Sequence, residues 1–134
     1  MAEQTPMERG IAIVRRLFGA AAGGNPLPPD FGRMTLWAVR PDGSHVEHVF
    51  GNVWSRPGLA LEERSLATCA VLVALAREHE QRLHFRGARN LGIPRAKLEE
   101  LITHVAHYAG WPVAVSAFRV LDEVWKTMDA EPKP

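Results

Sequence analysis

Between Leu61 and Met128 the chain is cut into helix-length pieces by a punctuation used twice. Glycine closes one segment and a proline two residues on opens the next, at Gly92 and Pro94 and again at Gly110 and Pro112. Glycine relaxes the left-handed turn at a helix C-terminus, and the missing N–H of proline is harmless in a first turn. The pieces so delimited carry apolar residues at helical spacing. The segment from Pro94 to Ala109 puts Leu98, Leu101, Ile102, Val105 and Ala109 on one face. The segment opened by Pro112 carries the stripe Ala114, Ala117, Phe118, Leu121, Val124, Trp125 and Met128. A helix from about Glu78 to Leu91 ends at Gly92, with Pro94 in the first turn of its successor. Upstream, Leu61 to Ala76 holds no proline, glycine or turn cluster and is apolar on nearly every side after Arg64. That predicts a helix buried all round, central or at a subunit interface.

The N-terminal third is less regular. Ile11, Val14, Leu17 and Phe18 recur with Arg9, Arg15 and Arg16 between them, an amphipathic helix from Pro6 closed at Gly19. "GAAAGGNPLPPDFG" then breaks regular structure. In "MTLWAVRPDGSHVEHVF" a hairpin signal at Pro41-Asp42-Gly43 competes with a capping box of Ser44 and Glu47. The preferred reading is Met34–Arg40 extended and a helix from His45 to about Trp54. The architecture is all-α.

Composition narrows the function classes. The formal charge is +1, from 16 basic and 15 acidic side chains, so no basic field exists to bind phosphate backbones and nucleic acid is not an expected partner. Cys69 is the only cysteine, which removes disulfides, a Cys-x-x-Cys redox pair and a cysteine-built zinc site within one chain. The polar start "MAEQTPMERG" lacks the pattern of a signal peptide, and the apolar run "LATCAVLVALA" is far short of the ~20 residues that cross a bilayer. A cytoplasmic protein with no membrane partner is expected.

Chemistry concentrates in "REHEQRLHFRGARNLG". Arg77, Glu80 and His84 stand at i, i+3 and i+7 and share a helix face. A solvated face would look the same, so spacing alone leaves both readings open. Arg82, Arg86 and Arg89 are surface charges or subunit salt bridges, or one of them holds a carboxylate in its planar fork. His104 and His107, and His45 and His48, have i, i+3 spacing without any accompanying HExxH motif, and no metal site is expected.

The run "GNVWSRPGLALEERSLAT", followed by "REHEQRLHFRGARNLGIPRAKLEELITHVAHYAGWPVAVSAFRV", resembles the carboxymuconolactone decarboxylase family over Phe50 to Val124. The resemblance implies one domain over 1–134, with a divergent segment 1–44 and core helices over 45–129. It implies a compact bundle of about six helices that assembles as a homo-oligomer, a hexamer or a trimer. A sister branch, the alkylhydroperoxidase-D-like proteins, carries Cys-x-x-Cys ahead of a histidine; against His84 those positions hold Arg77 and Glu80, so thiol peroxidase chemistry has no nucleophile here. The branch without cysteines implies a cofactor-independent decarboxylase of a small carboxylated lactone such as 4-carboxymuconolactone, in the β-ketoadipate route of aromatic catabolism. His84, Glu80 and Arg77 fall on the family's catalytic positions, and Trp54, Arg86 and His104 are the expected substrate contacts. The chain departs from the pattern at "FGRMTLWAVRPDGSH" and at Asn52, where an acidic residue is common. That departure leaves room for an isomerase, cyclase or hydrolase on another substrate, or for a non-catalytic oligomeric binding protein.

Overall fold

In the computed structural model, which describes residues 2–18 and 46–132, six helices follow one another: α1 (Pro6–Phe18), α2 (Val46–Val53), α3 (Leu61–Ala74), α4 (Glu78–Asn90), α5 (Arg95–Ala109) and α6 (Trp111–Ala130). No strand occurs among the described residues, in keeping with the all-α expectation. The extended stretch Met34–Arg40, the turn at Pro41-Asp42-Gly43, the capping serine Ser44 and His45 all lie outside the described residues. The chain divides into two compact units, Met1–Leu61 and Glu62–Pro134.

In the first unit, α1 is closed at its start by a reciprocal capping box. The Glu8 N–H donates to Thr5 Oγ1 (3.2 Å) and the Thr5 N–H to Glu8 Oε2 (2.7 Å), a Thr-x-x-Glu signal that periodicity alone does not use. The helix expected from His45 is present but is a π-helix rather than an α-helix. Two glycines let α1 and α2 touch backbone to backbone. A Cβ on Gly10 would lie 2.4 Å from the Val46 carbonyl oxygen, and one on Gly51 would lie 1.9 Å from that of Pro6. Arg9 Nε donates to the Gly51 carbonyl across the crossing (3.2 Å). Trp54 is buried and packs on Phe50, ring centres 5.6 Å apart, and Phe50 meets Phe18 edge-on at 6.1 Å.

The second unit is built on the predicted stripes. Phe85, Leu98, Ile102 and Leu121 are its largest fully buried apolar side chains. On α5 the buried face holds Leu98, Ile102, Val105 and Ala106, while Leu101 is half-buried and Ala109 is exposed. On α6 the stripe gains Val120, with Phe118, Trp125 and Met128 half-buried against the core. Pro94 is the N-cap of α5 rather than a residue of its first turn.

The expectation that α3 is buried all round is corrected for the single chain. Only Ser65, Cys69 and Val73 are buried, one i, i+4 stripe, while Val71 and Leu75 are 55% and 65% exposed. A neighbour on one side covers one stripe of a helix, and this helix is apolar on more sides than that. Among the described residues no helix is long and apolar enough to cross a membrane.

Candidate functional site

The site begins at the elbow between α3 and α4. The Arg77 N–H donates to the Leu72 carbonyl (2.9 Å) and the Ala76 N–H to that of Val73 (3.0 Å), the two bonds of a Schellman ending, with Ala76 left-handed at φ 56°. Arg77 therefore closes α3 and caps α4 at once, and its own carbonyl accepts the Gln81 N–H (2.9 Å). The other end of α4 repeats the motif with glycine. Gly92 is left-handed at φ 88°, its N–H donates to Arg89 (2.9 Å), and Ile93 reaches back to Ala88 (3.0 Å).

From this elbow Arg77 Nη2 donates to Glu80 Oε1 at 2.5 Å, with 60% of the arginine and 32% of the glutamate side chain exposed. That hydrogen bond holds the Glu80 carboxyl below its ordinary range, partly opposed by desolvation. One turn on, His84 is partly buried, and burial pushes its imidazole down from 6.5 to about 4 against the pull of Glu80. His84 is thus neutral at pH 7 in the unliganded chain. Burial outweighs the support from Glu80 that would have favoured the imidazolium.

The His84 backbone is anchored to α3, where Cys69 Sγ donates to the His84 carbonyl (3.6 Å). Cys69 is fully buried, and desolvation drives its thiol up to about 12 with only a partial offset from Ser65. A thiol so placed stays protonated and is no nucleophile.

The arginines of α4 lie on its other flank. Arg82 pairs with Glu123 (2.5 Å), Arg86 makes a two-pronged pair with Glu131, and Arg89 pairs with Asp129 (2.6 Å) while its guanidinium sits 5.0 Å over the Trp125 ring. Arg86 stands two residues from His84, on a different face of the helix, with a carboxylate already in its fork.

The remaining sequence candidates lie on other elements. Trp54 belongs to the first unit, among Phe50 and Phe18. His104 is exposed, stacks on Tyr108 (5.1 Å), and lies at the edge of an open groove of about 440 Å³ between α3 and α5, floored by Leu66, Ala70, Leu101 and Val105. His107 Nδ1 is 2.9 Å from the Thr103 carbonyl, and its ring packs on Trp111. Among the described residues no three histidine, cysteine or carboxylate side chains gather as metal ligands. Among the described residues, sequence reasoning missed two buried polar side chains, Ser65 and Gln81. The available signal was their place on otherwise apolar stripes, Ser65 with Cys69 and Val73, Gln81 with Phe85 and Ala88.

The model of the carboxymuconolactone decarboxylase family matches residues 45–123, a span that includes Trp54, Arg77, Glu80, His84, Arg86 and His104. The 4-carboxymuconolactone decarboxylase of Acinetobacter baylyi is 46% identical over 84 residues, 63% of this chain and 63% of that protein. The nitrosuccinic acid decarboxylase npaB of Metarhizium robertsii is 35% identical over 83 residues, 62% of this chain and 58% of that one. The chain thus spans about three fifths of the length of these relatives.

Proposed function

The chain belongs to the carboxymuconolactone decarboxylase family, and we propose that it is a cofactor-independent decarboxylase of a small carboxylated lactone, 4-carboxymuconolactone being the first candidate. The observation that carries this reading is the grouping of Arg77, Glu80 and the partly buried His84 on one flank of α4. The name of the Acinetobacter relative supports the choice of substrate.

In the proposed reaction the bond to the carboxylate breaks, carbon dioxide leaves, and the electron pair left behind delocalises through the ring alkene to the lactone carbonyl. One proton is then added to carbon, giving 3-oxoadipate enol-lactone. The electron sink lies within the substrate, so no cofactor is needed. Arg77 anchors a substrate carboxylate, and Glu80 holds Arg77 in place and supports charge on His84. The neutral resting imidazole gives the proton step its order. An anionic substrate entering beside His84 raises its pKa, the ring takes up a proton from water with the substrate, hands it to carbon and returns to neutral.

Exposed apolar residues at the end of α3 and in the turn after it, Val71 and Leu75, support a homo-oligomer as the working form. Light scattering should then give a multiple of 14.9 kDa, with six copies expected; a monomer at micromolar concentration counts against it.

A second reading keeps the reaction and changes the acid. The npaB relative is named for nitrosuccinic acid, and the stretch "FGRMTLWAVRPDGSH" departs from the family pattern. Purified protein incubated separately with 4-carboxymuconolactone and with nitrosuccinate, with carbon dioxide release followed, decides between them. Release from the lactone alone supports the first reading, release from nitrosuccinate alone the second, and binding without release from either sinks the decarboxylase.

A further inference from the structure

Gln81 is not accounted for by packing. It sits in the buried stripe of α4 with Phe85 and Ala88, fully buried, at a place usually filled by an apolar side chain. Its side-chain Nε2 donates to the Leu72 carbonyl at 3.1 Å. Among the described residues no donor reaches its Oε1, which is buried as well. An amide with a buried, unmet acceptor is disfavoured against an apolar side chain of the same shape.

The elbow accounts for it. The Leu72 carbonyl receives two donors, the Arg77 N–H and Gln81 Nε2, while the Gln81 N–H donates to the Arg77 carbonyl. The Gln81 side chain therefore holds the same Leu72 carbonyl that receives the Arg77 N–H, while the backbone bond to the Arg77 carbonyl is the ordinary first turn of α4 and does not depend on the side chain. The adjoining Ala76 is left-handed, a conformation a non-glycine residue keeps only where its surroundings enforce it. We infer that Gln81 is a positioning residue, which clamps the α3–α4 elbow and so fixes the backbone from which the Arg77 guanidinium meets a substrate carboxylate. The inference rests on the proposed role of Arg77 as the carboxylate anchor.

The test uses the full chain carrying Gln81→Met or Gln81→Leu, with 4-carboxymuconolactone as substrate. The clamp predicts a melting temperature that is unchanged or raised, because a buried unmet acceptor has been removed. It predicts KM raised on the order of tenfold with kcat within about threefold of wild type. In an Arg77→Ala background, Gln81→Met should add nothing further to KM, since the clamp acts through that residue. A glutamine serving stability alone gives a lowered melting temperature with KM unchanged in both variants, or KM effects that multiply in the double variant. Either result overturns the inference. If the wild-type protein does not turn over the lactone, the proposed function falls separately, and the clamp is read from hydrogen exchange at the Arg77 amide. Faster exchange in Gln81→Met at a retained melting temperature supports it, and unchanged exchange overturns it.

Discussion

Helix α4 carries arginines and carboxylate partners on both flanks of its buried stripe, yet the two flanks are built for different ends. On one, Arg82, Arg86 and Arg89 reach across to Glu123, Glu131 and Asp129, so each cation is spent within the second unit. On the other, Arg77, the N-cap of α4, pairs among the described residues with Glu80, three residues on, and the next turn presents His84, whose imidazole is held neutral by burial. The two ends of α4 differ in the same sense: the end near Arg77 turns on a left-handed alanine, the far end on a left-handed glycine. Charge that bridges helices serves the fold, whereas charge that pairs locally beside a desolvated imidazole is available to a ligand.

The largest test of this division is His84→Ala. A positioned proton donor contributes roughly 10²–10⁴-fold, so kcat should fall by that factor while the buried apolar core keeps the protein folded. Wild-type kcat in this variant would put the chemistry somewhere else. The pH dependence carries a second signature of the same residue. Between about pH 4 and 6.5 the unfolded chain binds a proton that the folded chain does not, so stability rises with pH across this window and is lost as pH falls through it. The effect is at most about 3 kcal/mol, reduced by the partial exposure of the ring. Denaturant titrations at several pH values should show that slope in wild type and its loss in His84→Gln. In turnover, kcat/KM should decline as pH rises above about 4, while kcat, which reports the bound state, holds to higher pH.

Next in size is Arg77→Ala, expected to raise KM by about tenfold or more with a smaller change in kcat, as loss of a charge-assisted contact to substrate does. Glu80→Gln should do less, because the guanidinium and the imidazole both remain. Steady-state kinetics on the same substrate separate the two, and a larger effect from Glu80→Gln would reverse their roles.

The opposite flank should respond in stability and not in kinetics. Arg89→Ala loses an ion pair, a bond to the Trp125 carbonyl (3.3 Å) and the stacking over that ring, together worth about 1 kcal/mol. Arg86→Ala, with 30% and 42% of the paired side chains exposed, should cost less than about 1 kcal/mol. A rise in KM for Arg86→Ala would mean that this fork leaves Glu131 for a substrate carboxylate and would break the division between flanks.

Much of this arrangement was readable in the sequence, and the reason is physical. Gly92 and Gly110 are left-handed or strongly extended in the way only glycine tolerates easily, and Pro94 and Pro112 sit at helix starts, so backbone chemistry alone delimits α4, α5 and α6. The common face of Arg77, Glu80 and His84 follows from helical spacing. The partners of Arg82, Arg86 and Arg89 did not follow, because they lie on α6 and beyond it, 40 or more residues away in sequence. Nor did the neutrality of His84, since Glu80 is visible in sequence and desolvation by neighbours is not. The exposed face of α3 was hidden for a related reason: an apolar run says what should be covered and not what covers it. Ala76 escaped notice because alanine is a helix former, and only the Schellman bonds around it force the left-handed turn.

The smallest expected effect belongs to Ala76→Gly, and it bears on the two ends of α4. Glycine at φ 56° would relieve the crowding that a Cβ suffers in the left-handed region, roughly 1 kcal/mol, but would also loosen the unfolded chain by about 0.4–1 kcal/mol. The two terms nearly cancel, so the melting temperature should move little and the two ends of α4 would become alike in chemistry. If the elbow merely joins two helices, KM stays with it. If the elbow directs Arg77, the greater freedom of glycine raises KM by a small factor, about twofold, without touching kcat, and Gln81→Met in the same chain enlarges the rise because the remaining restraint is gone. A measured KM identical to wild type in both Ala76→Gly and the double variant would reduce the elbow to a connection and leave the division between the flanks of α4 resting on side chains alone.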